Sequence, residues 1–187
     1  MTREEKKQQR HDAIVTHGLN LIRQHGFDEV SIKQITEAAG LAKGTFFNYF
    51  ASKGDLIAFW YDSIVEQAIN LSINEIHPTL SEHILNVSLY CLNAARSEPQ
   101  LWDAKRKLVA SNTALQEAEC RMDRELKAFI ANTLEQTATE VNSQQLAELL
   151  VCILTGTVQE CATYAQHHDV EATIRDRVKN LLRLAGA

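Results

Sequence analysis

Two short segments hinged on Gly40 constrain the fold of this chain more than any other feature of it. Ser31-Ile-Lys-Gln34 has the pattern of a capping box, in which the serine hydroxyl accepts from the amide three residues on and the glutamine side chain reaches back. Val30 and Ile35 stand where a hydrophobic staple would close over that cap. The pattern predicts a short helix from Ile32 to Ala39, ended by Gly40, a turn through Gly40-Leu41-Ala42, and a second short helix from Lys43 to Phe50. Upstream, Ile14, Val15, Leu19 and Ile22 recur at helical spacing. They predict a first helix from Arg3 to about His25, with Gly26 as its stop. A longer amphipathic helix followed by two short ones across a glycine turn is the plan of a three-helix DNA-binding unit.

Within that plan Ala38, Ala39 and Gly40 read as small residues that let the two short helices approach closely, and Leu41 as the apolar plug of the turn. Phe46 and Phe50, four apart, turn one aromatic face inward. Lys43, Gly44, Phe47 and Asn48 are left on the outer face of the second helix. A DNA-binding helix meets base edges near its N-terminal half, so this face is the candidate reader.

A formal net charge of −5 argues at first against a polyanionic partner. The charge is unevenly spread. Residues 1–54 carry eight Lys/Arg against six Asp/Glu, a surplus of +2, whereas residues 55–187 carry −7. One end of the chain is therefore suited to nucleic acid and the other is not.

The remainder reads as helix throughout. Ser52-Lys-Gly-Asp55 is a second candidate cap and opens a long helix to about Asn74. Thr79 to Glu82 would cap the next, and Pro99 suits the first turn of another, where no amide hydrogen is needed. Asn112 or Ser111, Ser143 and Asp169 would start the last three. The reading gives an all-α chain of about nine helices, with a helix-turn-helix DNA-binding domain at 1–54 and a helical ligand-binding and dimerisation bundle at 55–187.

The run from Ile35 to Leu56, ITEAAGLAKGTFFNYFASKGDL, closely resembles the N-terminal signature of the TetR family of bacterial transcriptional regulators, over roughly residues 10–57. The resemblance implies that Lys43, Gly44 and Phe47 face bases, that Thr45, Tyr49 and Lys53 hold phosphates, and that Lys33 sits where a further base contact is made. The chemistry suits those roles: lysine donates to guanine, asparagine pairs with adenine and phenylalanine touches a thymine methyl. The family commonly has Tyr where this chain has Phe47, so a contact there is apolar and Lys43 and Asn48 carry more of the discrimination.

The resemblance further implies a homodimeric repressor on a palindromic DNA operator, released by a small apolar or amphipathic ligand. Two apolar stripes supply the dimer face: Leu146, Leu149, Leu150, Ile153, Leu154 and Val158, and Ile174, Val178, Leu181, Leu182 and Ala185. Thr155-Gly156-Thr157 reads as small enough for close helix approach. Candidate ligand-lining residues are Tyr61, Ile64, Tyr90, Trp102, Met122, Phe129 and Tyr164. An alternative keeps the DNA-binding head and makes the body a protein-interaction or architectural module with no small inducer.

Other chemistries lack their residues. Cys152 and Cys161 are nine apart, about half a turn out of phase, and His167-His168-Asp169 has no HExxH partner. No metal or other cofactor is expected. Gly-rich phosphate loops and nucleophile elbows are missing, so no enzymatic activity is expected. Four cysteines without a CxxC pair and no signal-peptide pattern fit a cytoplasmic protein. Glu148, Gln159 and Glu160 interrupt the most apolar stretch, from Leu146 to Ala165, which makes it a core helix rather than a membrane span.

Overall fold

The computed structural model describes residues 2–74, 80–135, 142–163 and 169–184, and among these every regular element is α-helical. The helices are α1 (Arg3–His25), α2 (Ile32–Ala38), α3 (Lys43–Phe46), α4 (Gly54–Asn74), α5 (Leu80–Ser97), α6 (Pro99–Leu108), α7 (Thr113–Leu134), α8 (Ser143–Thr163) and α9 (Val170–Leu184). Their starts follow from local chemistry. Thr2 and Glu5 form a capping box at α1, and Ser31 and Gln34 form the one expected at α2. Pro99 occupies the first turn of α6. The Oδ1 of Asn112 accepts from Leu115 N at 2.8 Å, and that of Asp169 from Ala172 N at 3.1 Å. At α8 the capping side chain is Asn142 rather than Ser143: its Oδ1 accepts from the amides of Gln144 and Gln145 at 2.9 and 3.1 Å. Thr79, Tyr164, Ala185 and the His167-His168 pair lie outside the described residues, as does the side chain of Val158.

The chain forms two compact units. The first comprises residues 1–63 and 98–119, the second residues 64–97 and 120–187, so that α4 and α7 each contribute to both. In the first unit, α1 packs on α2 and α6, and α2 on α3. Ile14, Ile22, Ile35, Phe46, Leu56, Ile57, Leu101 and Leu115 are fully buried in it. The close approach in this unit is at Gly18 of α1. A Cβ there would stand 2.7 Å from Leu56 Cδ1 and 3.3 Å from Ile35 Cγ2, so the smallest residue lets α1, α2 and α4 meet.

No local pattern signals that α6 joins the first unit, yet two ion pairs hold it to α1 and to the segment after it. Arg23 grips Glu98 bidentately, Nε to Oε2 at 2.6 Å and Nη2 to Oε1 at 3.1 Å. Lys107 reaches Asp103 at 2.8 Å and Asp28 at 3.4 Å. The bidentate geometry makes the first pair the stronger of the two.

In the second unit α5, α8 and α9 pack on one another, around Ile84, Leu85, Ile130, Leu134, Leu146, Leu150, Leu154, Ile174, Val178 and Leu182. Arg177 of α9 donates to Thr157 of α8 at 2.6 Å. Most of both stripes is thus buried within the chain. Leu149 and Leu184 remain 53% and 79% exposed; Leu184 shares an outer α8/α9 face with Cys152, Ile153, Gly156, Arg177, Asn180 and Leu181, and Leu149 stands one helical turn before Cys152 and Ile153 on α8. Gly156 serves no helix contact inside this unit, because a Cβ added there would meet nothing within 4 Å. Among the described residues no helix is long and apolar enough to cross a membrane.

Candidate nucleic-acid interface

The turn between α2 and α3 is built from backbone and one buried hydroxyl. Gly40 sits at φ 67°, the left-handed region that a side chain disfavours. This conformation is the reason for glycine, and close approach is not: Ala38 and Gly40 are exposed, and a Cβ on Gly40 would meet nothing within 4 Å. The amide of Leu41 returns to Thr36 O at 2.8 Å. The Thr36 hydroxyl, buried, donates back to the carbonyls of Ile32 and Lys33 at 3.0 Å each. The turn is therefore closed from within, and α3 emerges at a fixed angle.

α3 is shorter than the sequence suggests, four residues rather than eight. Its N-cap is Ala42, which has no side chain with which to cap. After Phe46 the chain continues as tight turns, with Asn48 N to Thr45 O at 3.2 Å, Tyr49 N to Phe46 O at 3.0 Å and Phe50 N to Phe46 O at 3.1 Å. The side chains keep the expected distribution: Phe46 and Phe50 are buried, while Lys43, Gly44, Phe47 and Asn48 are exposed. Phe47, 53% exposed, leans edge-on against Phe46 with ring centroids 5.6 Å apart. It is an apolar tip with a fixed base. Gly44 is open, since an added Cβ would meet nothing within 4 Å; the bare backbone there gives an outside molecule room to approach.

Thr45 and Tyr49 are half-buried at the edges of this face. Tyr49 stands beside His11 of α1, ring centroids 6.0 Å apart, and His11 in turn stacks on Phe50 at 5.3 Å and meets Phe59 edge-on at 5.1 Å. This aromatic cluster fixes the segment after α3 on α1. Only Phe50 of it was legible in the sequence as a packing residue, because His11 and Phe59 lie on helices remote in the chain. Lys33 projects from the first turn of α2, largely exposed, with Glu37 at 3.6 Å.

Lys53 is engaged inside the chain. Its ammonium donates to the carbonyls of Phe27 and of Val30, the latter at 2.6 Å, and lies 4.0 Å over the Phe27 ring. Burial lowers its pKa, against the pull of Asp28. Lysine at this position fastens the start of α4 to the segment between α1 and α2, with one of three N–H donors left for an outside anion.

The ligand-lining candidates divide between the units. Tyr61 and Trp102 belong to the first, with ring centroids 6.0 Å apart. Lys105, which sequence reasoning missed, lies 4.7 Å over the ring of Tyr61 and 5.2 Å over that of Trp102. It is buried and paired with Glu119. The Trp102 Nε1 is buried with no acceptor among the described residues. In the second unit, Ile64 is buried, Tyr90 donates to Gln67 at 2.8 Å, Phe129 packs on the core and Met122 is half-buried.

Residues 14–58 match the model of the family described as bacterial regulatory proteins, tetR family. An HTH-type transcriptional regulator of Bacillus subtilis (strain 168), YwcC, uncharacterised, is 33% identical over 54 residues, which is 29% of this chain and 24% of that protein. The alignment thus spans about a quarter of the relative's length. Over the whole fold, a transcriptional regulator from Rhodococcus sp. Rha1 superposes with a TM-score of 0.73 at 16% identity, covering 95% of this chain and 98% of its own. A tetR-family transcriptional regulator from Streptomyces coelicolor gives the same TM-score at 16% identity, over 100% of this chain and 84% of that one. Residues 14–58 thus carry the helix-turn-helix sequence of the tetR family of bacterial regulatory proteins, and the chain as a whole has the helical fold of the regulators it superposes on.

Proposed function

We propose that the protein is a homodimeric transcriptional repressor, with the head at 1–54 reading a palindromic operator and the body at 55–187 pairing the heads and answering a small ligand. The observation that carries this reading is the exposed α3 face, where a cation (Lys43), an open backbone (Gly44), a braced apolar tip (Phe47) and an amide (Asn48) stand together. These groups suit base edges in the major groove. Thr45 and Tyr49 flank the face and would hold phosphates, as would the remaining donor of Lys53, with Lys33 near enough in the plan to add a contact.

The ligand half of the reading draws on the indole N–H of Trp102, buried beside Tyr61 and Lys105 with no acceptor among the described residues. A buried donor without a partner is costly, and an amphipathic ligand with one acceptor oxygen would relieve it. Ile64, Tyr90, Met122, Phe129 and Tyr164 fall in the second unit by sequence and are kept as separate ligand-lining candidates there. α4 would carry the signal, since it begins beside Lys53 and supplies residues to both units. A ligand that favours a different spacing of the two heads would weaken operator binding by population shift.

Selection of bound duplexes from a random pool tests the DNA-binding part. The expected result is two inverted half-sites with centres about 34 Å apart or a multiple of that. Enrichment of an unrepeated site would overturn the two-fold reading, and no enrichment would overturn specific DNA binding.

A further inference from the structure

Arg3, Lys6, Lys7 and Arg10 follow one another on α1 at the i, i+3, i+4, i+7 spacing that puts side chains on one face of a helix. The buried stripe of the same helix begins only at Ile14. All four cations are exposed. Lys7 meets Glu4 at 3.8 Å, and among the described residues no carboxylate pairs with Arg3, Lys6 or Arg10. Together with Asn48 and Tyr49 they line one groove of about 450 Å3. Its walls therefore come from two places: a wholly cationic stripe on one side, and a phenol and an amide from the end of the reading segment on the other.

We infer that this groove holds the DNA backbone, with the α1 stripe acting as a phosphate clamp beside the bases that α3 would read. The inference rests on the DNA-binding function proposed above and adds a site to it. Seven residues of helix span about 10 Å, close to the axial length of three phosphates of one strand at about 3.4 Å each. Lysine and arginine satisfy phosphate oxygens by charge and by forked donors respectively. The Tyr49 hydroxyl adds a neutral donor of the kind that fixes register on the backbone. Asn48 borders both the groove and the exposed α3 face, so the two are continuous. The positive end of α1 points the same way, partly offset by Glu4 and Glu5.

The test uses the full chain, a duplex taken from the random-pool selection and a random-sequence duplex of equal length. Binding is measured against KCl concentration for wild type, for R3Q/K6Q/K7Q/R10Q, and for K6R/K7R. Each lost phosphate contact lowers the slope of log affinity on log salt by about 0.9, so three contacts lower it by about 2.7. The advantage of wild type over the neutralised protein then shrinks about 40-fold between about 50 and about 200 mM salt. The ratio of selected to random binding stays within about twofold, because phosphate contacts carry no sequence information. K6R/K7R keeps the wild-type slope. If the fourfold variant does not fold, K6Q/K7Q is expected to lose about 1.8 of slope. A neutralised protein with the wild-type slope overturns the clamp and leaves the DNA-binding function standing. A wild type that does not distinguish the two duplexes overturns that function itself.

Discussion

Asp55 gathers two helix starts around one carboxylate. The amides of Ala51 and Ser52 donate to Oδ2 at 2.9 and 3.2 Å, while the Ser52 hydroxyl and the Asn112 amide donate to Oδ1 at 2.6 and 3.1 Å. Asn112 at the same time caps α7. Burial works against the charge, but these four bonds together outweigh it and hold the carboxyl below its ordinary value of 3.8. A carboxyl depressed by folding stabilises the protein fully above its unfolded pKa, and that contribution disappears as pH falls through the folded value. Asp55→Asn should therefore cost about 1 kcal/mol near neutral pH, the scale of a lost helix cap. The difference from wild type should close as thermal melts are taken from pH 7 to below 3.8. A gap that persists in acid would show that shape, not charge, is what the site needs. The Ser52–Asp55 pattern was legible in the sequence, but its direction was not: the hydroxyl donates to the carboxylate instead of accepting from the Asp55 amide. Asn112, 57 residues away, supplies the difference. Lys53 gives the same lesson, since no local pattern signals a bond to carbonyls 23 and 26 residues back.

At the scale of elements, α2 and α3 differ in how strongly the local sequence specifies them. α2 carries a reciprocal cap, with Ser31 N to Gln34 Oε1 at 2.8 Å and Gln34 N to Ser31 Oγ at 3.2 Å, and its bounds were readable to within a residue. α3 starts at Ala42 with no capping side chain, and its sequence contains Gly44, which weakens a helix by about 1 kcal/mol relative to alanine. What holds α3 is the burial of Phe46 and Phe50. Its length was overestimated because the aromatic spacing continues through Phe50 while the regular helix does not. Ala42 already has extended backbone, φ −72° and ψ 145°, which a capping residue adopts. Ala42→Ser should accordingly stabilise the segment by about 1 kcal/mol, read as slower amide exchange at Phe46 and a higher denaturation midpoint at unchanged m-value. Exchange at Phe46 no slower than in wild type would mean that α3 is set wholly by packing.

At the scale of the molecule, the two apolar stripes identified in α8 and α9 divide into a buried part and an outer part, and the sequence could not apportion them. Ile174, Val178, Leu182, Leu146, Leu150 and Leu154 are spent on the core of the second unit. Leu149, Cys152, Ile153, Gly156, Leu181 and Leu184 are left outside. Exposed apolar side chains contiguous on two helices are unfavourable in water and suit a partner surface; a two-fold contact would cover the same patch on both copies. The cysteines report on this directly. Cys152 lies within the outer face and Cys120, on α7, is exposed, whereas Cys91 packs against the core with its thiol pushed up to about 11 by burial. Alkylation of the native protein should therefore be slower at Cys91 than at Cys120 or Cys152, with Cys120 as the reference site. At Cys152 it should slow as concentration rises through the dimer's dissociation constant. Leu149→Arg, which places a charge beside Cys152 on that face, should restore concentration-independent alkylation at Cys152 and sediment as a monomer. If Cys152 reacts at the same rate at every concentration while the protein sediments as a dimer, the subunits pair through another surface, and the outer leucines of α8 and α9 serve some other contact.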